Sequence, residues 1–190
     1  MGIHQLAVTY DDHQDRILVK ISTTAQEEVR IWLSRRLTLL LLPALQFEAV
    51  NLQSQQLSLP GMATPVRALM AEMQKEQHLN QTDFLTPFES QAKNLPLGED
   101  PLLVTDVNID RLPQDRLALS FIERLSSDTP MRNVDITLPL PLLHGFLHLL
   151  EKTILRSEWA RVPADLDLPE PEDAKEAGPV PQKPRNTLLH

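Results

Sequence analysis

Apolar and polar residues alternate over two short stretches near the start of the chain. Leu6, Val8 and Tyr10 share one face over residues 5–10, and Ile17, Val19 and Ile21 share one face over residues 16–21. The polar run Asp11-Asp12-His13-Gln14-Asp15 separates them, so the pair reads as a β-hairpin. The period then changes. Thr24-Ala25-Gln26-Glu27 has capping-box spacing, in which the hydroxyl accepts from an early backbone N–H and the glutamate reaches back. Val29, Trp32, Leu33, Arg36 and Leu40 follow at helical spacing, and residues 37–42 are apolar nearly all round. A Leu-rich helix is therefore predicted as far as Leu45, with Trp32 and the leucines of residues 33–42 in the core.

Residues 46–61 are polar and Gln-rich and end in Leu59-Pro60-Gly61, the pattern of a linker closed by a turn. A second helix is predicted over residues 64–79, with Thr64 as cap, Pro65 at its first position and Val66, Leu69, Met70 and Met73 as its buried stripe. Residues 81–101 carry Pro87, Pro96, Gly98 and Pro101 and read as irregular. Alternation returns over residues 102–110, 116–124 and 133–138, an antiparallel meander. A last helix, residues 141–159, has Leu143, Phe146, Leu147, Leu150 and Ile154 as its main stripe. Leu142 and Leu149 extend that stripe sideways, more apolar surface than one packed face needs. The fold class is thus α+β: an antiparallel sheet, hairpin plus three-strand meander, packed with Leu-rich helices. Residues 1–162 read as a single domain. Strands followed by a Leu-rich helix occur twice, over 5–45 and 102–159, which suggests a degenerate internal repeat.

Past residue 162 the pattern stops. Six acids stand against one lysine between Pro163 and Gly178, and Pro163, Pro169, Pro171, Pro179, Pro181 and Pro184 punctuate the rest. Such a segment buries too little apolar area to offset chain ordering, so residues 163–190 are expected to be a disordered acidic tail.

Composition narrows the chemistry. The net charge of −8 argues against a duplex-binding face or docking on anionic lipid, and leaves a protein partner open. The chain has no cysteine, which excludes disulfides, thiolate metal sites and thiol catalysis and fits a cytoplasmic setting. The first ten residues lack the basic and apolar regions of a signal peptide. The apolar run over residues 37–45 would span about 14 Å as a helix, half of a ~30 Å hydrocarbon core, so no membrane insertion is expected.

The five glycines, at 2, 61, 98, 145 and 178, are too scattered for a phosphate-cradling loop, and no serine sits in a nucleophile elbow. No catalytic residue and no cofactor is therefore assigned. His144 and His148 stand four apart on the last helix, the spacing at which two imidazoles can share a metal. The pattern lacks the glutamate of the zinc-protease motif, so the pair is read as helix histidines rather than ligands. Asp106-Val107-Asn108-Ile109-Asp110 copies the start of a calcium loop, but Arg111 stands where glycine is needed and Leu117 where glutamate is needed.

Arg30, Arg35 and Arg36 cluster around Trp32, a composition suited to an anion or to a partner's carboxylates. Together with Leu142 and Leu149 they form the candidate partner-binding set. The segment Glu28-Val29-Arg30-Ile31-Trp32-Leu33-Ser34-Arg35-Arg36, following a short hairpin, resembles small proteobacterial proteins that carry an R-x-W-L-[ST]-R-R signature. The resemblance covers about the first 45 residues and implies a hairpin–helix start and a bacterial cytosolic setting. It implies no activity or site residues. The expectation is a non-enzymatic interaction or regulatory protein, with a partner protein or a homodimer. The alternative is an enzyme or small-ligand binder with an unfamiliar site.

Overall fold

The computed structural model describes residues 2–56, 64–89, 94–126 and 130–159. The expected tail, residues 163–190, lies outside the described residues. The strands are β1 (Ile3–Asp11), β2 (Arg16–Thr23), β3 (Glu28–Ser34), β4 (Leu102–Leu103), β5 (Asp106–Leu112), β6 (Arg116–Glu123) and β7 (Arg132–Pro139). The helices are α1 (Arg35–Gln56), α2 (Thr64–Gln81) and α3 (Leu140–Ser157). The class is α+β, as the patterning implies, with the strands in two sheets. One has the order β1-β2-β3-β4, antiparallel except for the short β3–β4 pairing; the other is the antiparallel meander β5-β6-β7.

The first correction falls at the capping box. Residues 28–34 are not helix but the third strand, paired with β2 from Ser22↔Glu28 to Arg16↔Ser34. Val29, Ile31 and Leu33 satisfy a period of two as well as Val29, Trp32 and Leu33 satisfy a helical one. The apolar face of β2 decides between them by burying the first set completely. Thr24-Ala25-Gln26-Glu27 becomes the turn. Thr23 Oγ1 accepts from the N–H groups of Ala25 and Glu27 at 3.2 Å each, and Gln26 takes a left-handed φ of 57°.

The helix starts where the strand stops. Ser34 caps it, its Oγ accepting from Leu37 N–H at 3.3 Å. Running to Gln56, α1 passes through Pro43 and takes up most of the expected linker. Leu41, Leu45, Ala49 and Leu52 form its buried row, so the Gln-rich stretch carries two core residues that its polarity conceals. Leu40, expected in the core, is 63% exposed on the opposite side, and Leu39 is exposed beside it. Trp32 is also outside the core, half-buried on the outer face of the first sheet.

A second reversal concerns α2. Its apolar stripe, Val66, Leu69, Met70 and Met73, faces solvent. The partly buried face is instead Ala71, Gln74, Lys75, His78 and Leu79. Polar bonds hold it: Gln53 Nε2 of α1 donates to the Ala71 carbonyl at 2.5 Å, and His78 meets His144 of α3.

The third helix matches its expectation. Leu143, Phe146, Leu147, Leu150 and Ile154 are buried, and α3 packs against α1, α2 and β1. Its C-terminal end is fixed by Trp159. The indole donates to Asp15 Oδ1 and stands edge-on to Tyr10 at 5.6 Å, while Arg35 Nη2 donates to the Trp159 carbonyl at 2.8 Å. The core joins Ile17, Val19, Ile21, Val29, Ile31 and Leu33 of the first sheet to Leu117, Leu119, Phe121, Ile136 and Leu138 of the second. Each large aliphatic side chain fully buried there contributes roughly 1.5–3 kcal/mol.

Candidate partner-binding face of the first sheet

Since β3 is a strand, the residues between its core positions point the other way. Directly opposed residues on antiparallel strands share a face, so the pairs Leu18↔Trp32, Lys20↔Arg30 and Arg16↔Ser34 all lie on the outer side of the first sheet. Leu103 of β4 pairs with Trp32 and completes the row. The result is a partly exposed apolar centre, Leu18-Trp32-Leu103, flanked by the cations Arg16, Lys20 and Arg30. Glu28 lies beneath this rim with its side chain fully buried, and its Oε1 accepts from Arg30 Nε at 2.5 Å. That bond sets the guanidinium on the face while leaving the Arg30 side chain 29% exposed. Asp11, opposite Arg16, is the acid at the corner.

The structure divides the arginine cluster read from sequence. Arg30 and Trp32 share this face; Arg35 turns to the end of α3; Arg36 is exposed at the start of α1. Lys20, Arg16 and Leu18 were missed. The signal was available in the alternation of β2, but it acquires meaning only with the β2–β3 register.

His144 and His148 do not converge. His144 turns to α2, where its Nδ1 lies 3.0 Å from His78 Nδ1, so one ring donates and the other accepts. Burial pushes the His144 pKa down to about 4, helped by His78 and Lys75, and burial also lowers that of His78. His148 instead faces Phe84, with ring centroids 5.0 Å apart. Both line a cleft of about 560 Å³ between the three helices, with Lys75, Glu72 and Glu151 at its walls. Among the described residues no group of three or more potential ligands is placed to hold a metal ion. Asp106, Asn108 and Asp110 lie on the outer face of β5, spread along a strand rather than gathered round an ion.

Leu142 and Leu149 are half-buried. They line a groove of about 610 Å³ whose other walls are residues 4–8 of β1 and residues 82–88. The irregular 82–88 stretch thus flanks the surface that Val66, Leu69, Met70 and Met73 of α2 leave untouched. Asp15 is more than a turn residue. It accepts from Tyr10 and Trp159, and those two bonds hold its carboxyl below the usual range. Among the described residues no helix is long and apolar enough to cross a membrane.

No family model, no curated protein and no solved structure matches this chain.

Proposed function

We propose that the protein is a non-enzymatic interaction protein of the cytoplasm that binds a partner protein through the outer face of its first sheet. The observation that carries this reading is the partly exposed Leu18-Trp32-Leu103 row framed by Arg16, Lys20 and Arg30 on the outer face of the first sheet. A tryptophan and arginines around a small apolar centre have the composition of interface hot spots. The surrounding cations select a partner surface with carboxylates. A net charge of −8 for the chain as a whole favours a protein over nucleic acid.

The test places a photo-crosslinking aromatic residue at position 32 and exposes the chain to an extract of its source cells. The expected result is a discrete crosslinked protein that disappears with Lys20→Glu and persists with Leu155→Glu on α3. Capture insensitive to Lys20→Glu would reject the reading.

A second reading, a small-ligand site, is favoured by the interhelical cleft that holds His144 and His148. A ligand bound there would shift the ring resonances of both histidines in an NMR-monitored fragment screen. No shift with any fragment rejects it.

A further inference from the structure

The two sheets of this chain turn unlike charges outward. On the second sheet the register places Asp106 opposite Ile122, Asn108 opposite Ser120 and Asp110 opposite Ala118. Across β6, Ser120 faces Asp135 and Ala118 faces Thr137. Asp106, Asn108, Asp110, Asn133 and Asp135 are exposed. Along its central strand this outer face carries the small residues Ala118 and Ser120 and, towards one end, Ile122, and it bears three carboxylates. Ser120 Oγ donates to Asp135, which fixes one of them. Arg116, at the corner next to Leu112, is the one cation in these rows, and its Nε donates to the Pro113 carbonyl.

We propose that this acidic face is the partner of the basic one: a second copy of the chain docks its β5-β6-β7 face on the Trp32-centred face of the first. The inference rests on the binding role given to the first sheet and names its occupant. The two surfaces carry charge of opposite sign: Arg16, Lys20 and Arg30 outnumber Asp11 and the Arg30-bound Glu28 on one, and Asp106, Asp110 and Asp135 outnumber Arg116 on the other. They also differ in side-chain size, with the large, half-buried Leu18 and Trp32 on one face and the small Ala118 and Ser120 on the other. Both are sheet faces, and such faces stack about 10 Å apart when side chains interleave.

The contact joins different surfaces of the two copies, so it is head-to-tail. It leaves one free basic face and one free acidic face at the ends of every open oligomer, and therefore either extends or closes into a ring. Its charges make it sensitive to salt, since screening acts most strongly at the exposed rim. A symmetric dimer through the apolar stripes of α1 and α2 would behave oppositely, holding or tightening as salt rises.

The test uses the full chain in sedimentation velocity and light scattering. At low salt and about 0.5 mM chain the mean mass is expected to rise above the 21.6 kDa of the monomer. Raising the salt to about 0.5 M should weaken association at least ~10-fold. Reversing the basic face with Arg16→Glu and Lys20→Glu should give a monomer. Reversing the acidic face with Asp110→Lys and Asp135→Lys should do the same. Mixing the two reversed chains should restore association, because each then offers the other two complementary faces. Unchanged circular dichroism in each variant shows that the fold survives, and the restored mixture gives the same assurance independently.

A monomer under all conditions overturns the proposal, as does self-association that ignores salt and face reversal. Failure of the mixture to reassociate also overturns it. If the chain is monomeric while the position-32 crosslink to another protein persists and is lost with Lys20→Glu, the second copy is the wrong occupant and the binding face stands. If neither is seen, both fall.

Discussion

Each half of the molecule threads three antiparallel strands straight into a helix. β3 ends at Ser34 and α1 begins at Arg35; β7 ends at Pro139 and α3 begins at Leu140. The inner faces of the two sheets are alike, rows of Ile, Val, Leu and Phe in one core. Their outer faces differ. The first presents Arg16, Lys20, Arg30 and Trp32, the second Asp106, Asp110 and Asp135. Two halves can thus share a construction set by burial and still diverge wherever solvent leaves the side chain free. The helices differ in the same way. α3 packs against α1, α2 and β1 and leaves Leu155 exposed, whereas α1 leaves Leu39, Leu40, Phe47 and Val50 exposed. Each half also buries one glutamate against an arginine, Glu28 with Arg30 and Glu123 with Arg132.

The strongest way to break the comparison is at the inner faces. If they are equivalent, Phe121→Ala in the second sheet should cost about 3–5 kcal/mol and Ile31→Ala in the first about 2–5 kcal/mol. Urea unfolding gives both numbers, and a loss below ~1 kcal/mol at either position would remove that sheet from the common core.

The buried glutamates come next. Glu123 holds its charge through Arg132 and through the Leu103 amide, which donates to Oε1 at 2.7 Å, and those bonds keep its pKa below the usual range. Glu123→Ala strands that amide of β4 and should cost about 1–3 kcal/mol. Because β4 pairs with β3, the loss should also speed hydrogen exchange at the Leu103 amide. A neutral result would mean that water replaces the carboxylate.

Pro43 interrupts α1, and no proline interrupts α3 beyond its first turn. Pro43→Ala restores a donor on an exposed part of the helix and should raise stability by about 1–3 kcal/mol. A melting temperature that falls instead would mean that Pro43 itself is needed where α1 packs over the sheets.

Acid should act first through the His78–His144 pair that joins α2 to α3, since burial lowers the pKa of both rings. His144, held to about 4 against an ordinary 6.5, stays neutral in the fold while the unfolded chain takes up a proton. Its contribution is therefore complete above the unfolded value and is lost as pH falls from about 6.5 towards 4. The carboxylates of Asp15, Glu48 and Glu123, all depressed, lose theirs only below their own unfolded values. Denaturation curves at several pH values should show the upper window, and His144→Gln should flatten it. A profile unchanged by that substitution would place the titration elsewhere.

The smallest effect is expected on the exposed side of α1. Leu40→Ala should change stability by less than about 0.5 kcal/mol, the range of surface substitutions. A loss of 2 kcal/mol or more, the range of a buried leucine, would mean that this side is covered in solution.

Much of this fold was legible in the sequence. The β1–β2 hairpin, the later meander and the buried stripe of α3 follow from alternation and helical spacing. These elements have a polar face and an apolar face, so period alone decides them. Legibility failed where two periods fitted the same residues or where polarity and burial parted. Residues 28–34 could be helix or strand, and only pairing with β2 chose, because that register buries Val29, Ile31 and Leu33 together. Ala49 and Leu52 join the core from a Gln-rich stretch because a helix already anchored by Leu41 and Leu45 continues past it. The α2 stripe faces outward because Gln53 and His144 hold the opposite side of that helix by hydrogen bonds, which hydropathy does not register. The candidate site belongs to the same class of outcome. Arg30 and Trp32 could be picked out in the sequence, but Lys20, Arg16 and Leu18 become their neighbours only through cross-strand register. Sequence determines which faces a segment can offer; the tertiary structure decides which one is buried, because burial depends on what packs against it.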